Sequence, residues 1–184
     1  YSSNFHIQFD SDDGVVVLML HSFHLPDDFY FWKQDRVGSI TPLFGQIFFK
    51  GFGLSAILSE SITHYLILIG GFFGFATLFK THFSKIAFAL IWFFPILHMT
   101  GVVRYTFGLQ YAFIGMAIGL IVLYQRKPLT QFGQYLYLVL ISLTLFCSLW
   151  ACDASVLSIP ALLLVVFFHF KSKNKLKFVD LLKR

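Results

Sequence analysis

Charge is what this sequence has least of. Only 12% of its 184 residues are Asp, Glu, Lys or Arg, against about 25% in a soluble domain, which leaves too little polar surface to keep a globular chain in water. Cysteine is nearly absent. Cys147 and Cys152 stand five apart near the end of one apolar run, a spacing with no metal or redox pattern, so they read as packing residues. The chain opens on Tyr1 with no charged stretch ahead of an apolar one, so no secretory leader is legible and the chain reads as beginning in mid-protein. Repeats and low-complexity tracts are lacking as well. What is plentiful is hydrophobic: 57% of the residues, including 25 Phe. A bilayer is the natural solvent for such a chain, and the length suits one membrane domain.

Apolar runs almost free of charge fall at about 61–79, 86–99, 107–124, 133–150 and 156–170. Several are shorter than the ~20 residues of a comfortable span, and bounded by polar ends they cross with local thinning or snorkelling. The second, "IAFALIWFFPILHM", is the weakest, because it is short and Pro95 kinks it. The expected fold class is therefore all-α, a polytopic transmembrane bundle of about five spans. Ten of the fourteen basic residues lie in the connections at 80–85 and 125–132 or in the tail "KSKNKLKFVDLLKR". The excess of Lys and Arg on alternate connections puts those parts in the cytoplasm and residues 1–60 on the exoplasmic side. Seven of the nine acids fall in that leading segment. Three regions result: an exoplasmic loop over 1–60, a bundle over 61–170 and a basic cytoplasmic tail over 171–184.

The leading segment has structure of its own. Residues 12–24 read as a short helix with Val16, Met19, Leu20 and Phe23 on one stripe and Asp13, Val17, His21 and His24 on another. "LPDDFYFWKQDRVGS" is loop-like, punctuated by Pro26 and Gly38, and its aromatics Phe29, Tyr30, Phe31 and Trp32 belong at interfacial depth. A second amphipathic stretch, about 40–58, leads to the first span. Two surface helices with acids between them suit work on a lipid headgroup.

"FDSDDGVVVLML" brings three aspartates, Asp10, Asp12 and Asp13, to the start of the first surface helix. Asp is a favoured N-cap, and a first-turn acid gains about 0.3–1 kcal/mol from the helix dipole. Capping accounts for two of the three and less well for all of them, since neighbouring like charges raise one another's pKa. The dipole would also keep a carboxylate ionised, as a general base or a cation ligand requires.

The stretch "SDDGVVVLMLHSFHLPDDFYFWKQDRVGSITPLFGQIF" resembles the first exoplasmic loop of GT-C class membrane glycosyltransferases, which include the protein O-mannosyltransferases and bacterial lipid-linked sugar transferases. There an acidic pair opens a surface helix, and an aromatic-rich segment with Gln and Gly-Ser leads to a second one. The matching parts are Asp12-Asp13, the Gln34 to Ser39 stretch and the helix after Pro42. The likeness covers about residues 9–50 and is only topological beyond them. The span that precedes the acidic motif in that class, its larger membrane core and its C-terminal periplasmic domain have no counterpart here, so the chain is expected to be incomplete.

What the resemblance implies is inverting transfer of a sugar from a polyprenyl-phosphate carrier to a glycan, lipid or protein acceptor, at the outer face of a bacterial inner membrane. Asp12 matches the first catalytic aspartate, Asp13 takes the second acidic position, and Asp10 could stand in for either. An acceptor hydroxyl must lose a proton as it attacks the anomeric carbon, so a carboxylate within reach helps. A divalent metal, Mg or Mn if one is used, would sit on Asp12 and Asp13. The anionic leaving group wants a cation, and Lys33, Arg36 and Arg104 are the outer candidates, with Gln34 beside them as a substrate-binding residue. Membrane lipid is a partner throughout, and no nucleic acid is implied.

Each residue has a plainer reading. Arg104 at a span end is ordinarily a snorkelling anchor. Lys33 and Arg36 flank Asp35 in a solvated cluster. His21 and His24 form an interfacial pair without a ligand role more readily than a metal site. His64 and His98 are expected where span ends meet water, Asp153 is a hydrated loop acid, and residues 29–32 make an interface belt. The competing class is a non-catalytic integral membrane subunit or a lipid-handling partner. A channel or ion-coupled transporter is less attractive, because the middles of the spans lack ionisable residues.

Overall fold

The computed structural model describes residues 11–30, 32, 37–94, 108–126, 130–158 and 160, and of residues 11–13 the backbone alone. The chain divides into two compact units, residues 1–153 and 154–184, and every helix named below lies in the first. Among the described residues the protein is all-helical, with one isolated antiparallel bridge between Tyr30 and Gly38.

The order is α1 (Ser11–His21), α2 (Ile40–Gln46) continued by a π turn at Ile47–Gly51, α3 (Ala56–Ala76), α4 (His82–Phe93), α5 (Leu109–Arg126) and α6 (Gln131–Ala151). Three of the starts are written in hydroxyl residues. Ser55, Thr81 and Thr130 sit in extended backbone, and their side chains accept from the N–H groups of Leu58, Ser84 and Gly133, satisfying donors that the first turn leaves unpaired. The second amphipathic stretch is broken: Gly53 takes a φ of 66°, the left-handed region that glycine tolerates, and the long helix restarts behind Ser55.

Helices α3, α5 and α6 are long and apolar enough to cross a membrane, whereas α4 is shorter. Its 12 residues rise about 18 Å, well under the ~30 Å of a hydrocarbon core. The runs expected at 107–124 and 133–150 are α5 and α6 with ends moved by one or two residues. The first span begins five residues earlier than expected, because Ser55 caps it. The apolar run at 156–170 lies almost wholly outside the described residues.

Glycines join α3 to α5. Gly70 and Gly74 on one helix and Gly115 and Gly119 on the other form a pair of small-xxx-small motifs, the pattern that lets membrane helices approach closely. A Cβ on Gly71 would stand 2.5 Å from the Ala112 Cα, one on Gly119 2.6 Å from the Gly74 Cα, and one on Gly74 would strike the Gly115 carbonyl. This register makes α3 and α5 parallel. Helix α4 folds back along α3 through rings, Phe88 lying 5.1 Å from Phe79 and 5.8 Å from Phe72, and the Trp92 Nε1 donates to the Leu68 carbonyl at 3.1 Å. Helix α6 returns along α5: Tyr137 meets Tyr124, and the Ser148 hydroxyl donates to the Gln110 carbonyl at 3.1 Å.

One end of the bundle therefore gathers the starts of α3 and α5 and the finish of α6. Helix α2 packs against α3 and α6 at this end, and α1 packs against α2 and α3. The stripe read from the sequence is buried: Val16, Met19 and Phe23 join Val37 in a small core, and Leu20 is buried against α2. The opposite end carries Lys80, Lys85 and Arg126, whose guanidinium donates to the Thr77 carbonyl at 3.2 Å.

Candidate functional site

The loop end is built from α1 inward. Ser11, Asp12 and Asp13 form the opening turn of α1, where the dipole favours acids. The fastening of that helix is visible further along. The Leu20 side chain fills the space that a Cβ on Gly45 would occupy, and the Gln46 amide donates to the Leu20 carbonyl at 2.8 Å. Among the described residues, Thr41 Oγ1 and Gln46 Oε1 on α2 are buried without a hydrogen-bond partner.

The loop between α1 and α2 is tied to α6. Trp150 donates its indole N–H to the Phe29 carbonyl at 2.7 Å, and its ring stacks on Phe29 at 4.8 Å between centroids. Asp28 holds the turn from inside, accepting from the His24 backbone N–H at 2.6 Å and from the Trp32 indole at 2.7 Å. The Ser39 hydroxyl donates to the carbonyls of Asp28 and Phe29. Gly38 lies so close to the Trp150 carbonyl and ring that a Cβ there would overlap both. Gly38 and Ser39, two of the residues that carry the resemblance, thus hold the loop on the end of α6.

Asp12 and Asp13 share the first turn of α1, and their side chains lie outside the described residues, as do Asp10, Lys33, Gln34, Arg36, Arg104 and His98. His21 and His24 do not converge: His21 meets Phe49 edge-on at 4.8 Å, and the His24 Nδ1 lies 2.7 Å from the Ser22 carbonyl. Asp153 is exposed at the end of α6. Among the described residues no group of three His, Cys, Asp or Glu could hold a metal ion. Phe29, Tyr30 and Trp32 are exposed, as an interfacial belt requires.

A pair the sequence reading did not single out stands in α3. With the helix starting at Ala56, Glu60 and His64 fall one turn apart within the span, and the Glu60 Oε1 lies 3.7 Å from the His64 Nδ1. The His64 side chain is 0% exposed and that of Glu60 14%. This corrects the expectation that His64 meets water: its position continues the stripe of Ala56, Ser59, Thr63, Ile67 and Gly71, which faces the neighbouring helices. The Ser55 cap was the signal that could have revealed it. Ser59 and Thr63, also buried, turn their hydroxyls back onto the carbonyls of Ser55 and Ser59, the usual way of satisfying such groups inside a helix.

Comparison with protein-family models, with curated proteins and with solved structures returned no match.

Proposed function

We propose that the chain is a GT-C type membrane glycosyltransferase that moves a sugar from a polyprenyl-phosphate carrier to an acceptor at the exoplasmic face, with Asp12 as the base. The observation that carries this reading is the docking of α1, opened by Asp12 and Asp13, through α2 onto the end of the bundle where Asp27, Asp28, Glu60 and Asp153 also lie. Acids at one end and Lys80, Lys85 and Arg126 at the other support the assignment of the acidic end to the exoplasm, the periplasm in a bacterial inner membrane. In this reading α4 with its continuation and the run at 156–170 supply the remaining two of five crossings.

Chemically, the acceptor O–H gives its proton to the Asp12 carboxylate as its oxygen bonds to the anomeric carbon, and the bond from that carbon to the carrier's phosphate oxygen breaks with its electron pair leaving on the phosphate. Asp13 and Asp10 hold the acceptor or a cation, and Lys33, Arg36 and Arg104, with Gln34, receive the phosphate. The test is transfer from polyprenyl-phosphate sugars by the native chain and by Asp12→Asn and Asp10→Asn. Loss of about 10²-fold or more with Asp12→Asn, in protein that still inserts, is expected for a general base. Full transfer by both variants would return the aspartates to helix capping. A non-catalytic membrane subunit is the second reading, favoured by the apolar residues exposed along α6, Phe132, Tyr135, Val139 and Leu143. No transfer from any donor would select it.

A further inference from the structure

We propose that Glu60 and His64 form a sugar-binding pair in this site, with Glu60 accepting hydrogen bonds from hydroxyls of the transferred sugar and His64 positioning the carboxylate from behind. The inference rests on the transferase reading. Among the described residues these are the one carboxylate and the one imidazole inside the three long helices. Ionisable groups within spans are costly to insert and mark functional pathways or sites. Packing does not demand them here, since an apolar pair of similar volume serves a buried position as well or better.

The geometry assigns the roles. His64 is sealed off, so it cannot meet a ligand, and the pair opens to its surroundings through Glu60. One carboxylate oxygen faces the imidazole at 3.7 Å, and Glu60 is the member of the pair that a sugar hydroxyl can reach. A carboxylate accepting from hydroxyls makes charge-assisted hydrogen bonds, among the stronger ones available for a neutral polyol.

The test compares Glu60→Gln, nearly isosteric, and His64→Gln with the native chain and with Asp12→Asn. Glu60→Gln should raise the donor KM about tenfold or more, the loss expected of a hydrogen bond to a charged group, with kcat little changed. His64→Gln should raise KM less, as a positioning residue would. A merely structural pair would lower the amount of folded protein and leave KM alone. Unchanged KM in both variants, while Asp12→Asn abolishes transfer, overturns the pair and leaves the transferase reading standing. If the native chain transfers nothing, binding decides. The ring-15N signals of His64, identified by their loss in His64→Gln, are recorded with polyprenyl-phosphate-mannose, polyprenyl-phosphate-glucose and bare polyprenyl phosphate. A shift with either sugar-bearing lipid and none with the bare phosphate supports the pair, and equal responses overturn it.

Discussion

Trp150 shows how much one side chain can fix. Its indole joins the last turn of α6 to a loop 121 residues earlier in the chain, through one hydrogen bond and one ring stack onto Phe29. Trp150→Phe keeps a ring for stacking and drops the donor, so it should cost about 1 kcal/mol, the net value of one hydrogen bond. Gly38→Ala should cost more, about 1–3 kcal/mol, because its methyl meets the backbone of α6 as well as the indole. Thermal unfolding in detergent ranks the two, and equal stability of Gly38→Ala and the native protein would mean that the loop is not seated on α6. At this scale the sequence was legible where period alone decides: Val16, Met19, Leu20 and Phe23 announced a buried stripe. Trp150 and Gly38 were not, since nothing in the spacing of two residues 112 apart signals contact. His64 was hidden differently. Its burial depends on a helix start five residues upstream of where the hydropathy rises.

Among the elements, α3 and α5 form the closest pair, and the reason is the absence of side chains. Without a hydrophobic force between apolar helices in lipid, contact area at short range is what holds them. Gly74→Ile should therefore push the pair apart and cost about 1–3 kcal/mol, the usual penalty of overpacking. Gly51→Ala, at a position with open space within 4 Å, is the control and should be nearly silent. Denaturant midpoints in micelles separate them, and an unaffected Gly74→Ile would exclude the glycine seam as the source of stability. The small-xxx-small spacing was present in the sequence and could have predicted this seam. The division of the stretch at 40–58 was harder to read, because the same apolar pattern fits one bent helix or two pieces, and the φ of Gly53 and the Ser55 cap decide between them.

For the whole molecule, sidedness matters most, because the proposed chemistry needs the acidic end outside. The basic residues on alternate connections predict two polar ends, and among the described residues the fold collects Lys80, Lys85 and Arg126 at one and Asp27, Asp28 and Glu60 at the other. The number of crossings was less legible, since α4 reaches only 12 residues and hydropathy alone cannot say how a short apolar helix is accommodated. Thiol labelling tests sidedness directly. Both native cysteines are buried and give little background, whereas positions 27 and 125 are exposed at opposite ends. In intact spheroplasts an impermeant maleimide should label Asp27→Cys and spare Gln125→Cys, and permeabilisation should expose the second. The reverse pattern would place the helix opened by Asp12 and Asp13 in the cytoplasm. Transfer at the exoplasmic face would then be excluded whatever the aspartates do, because the carboxylates and the proposed substrate would lie on opposite sides of the bilayer.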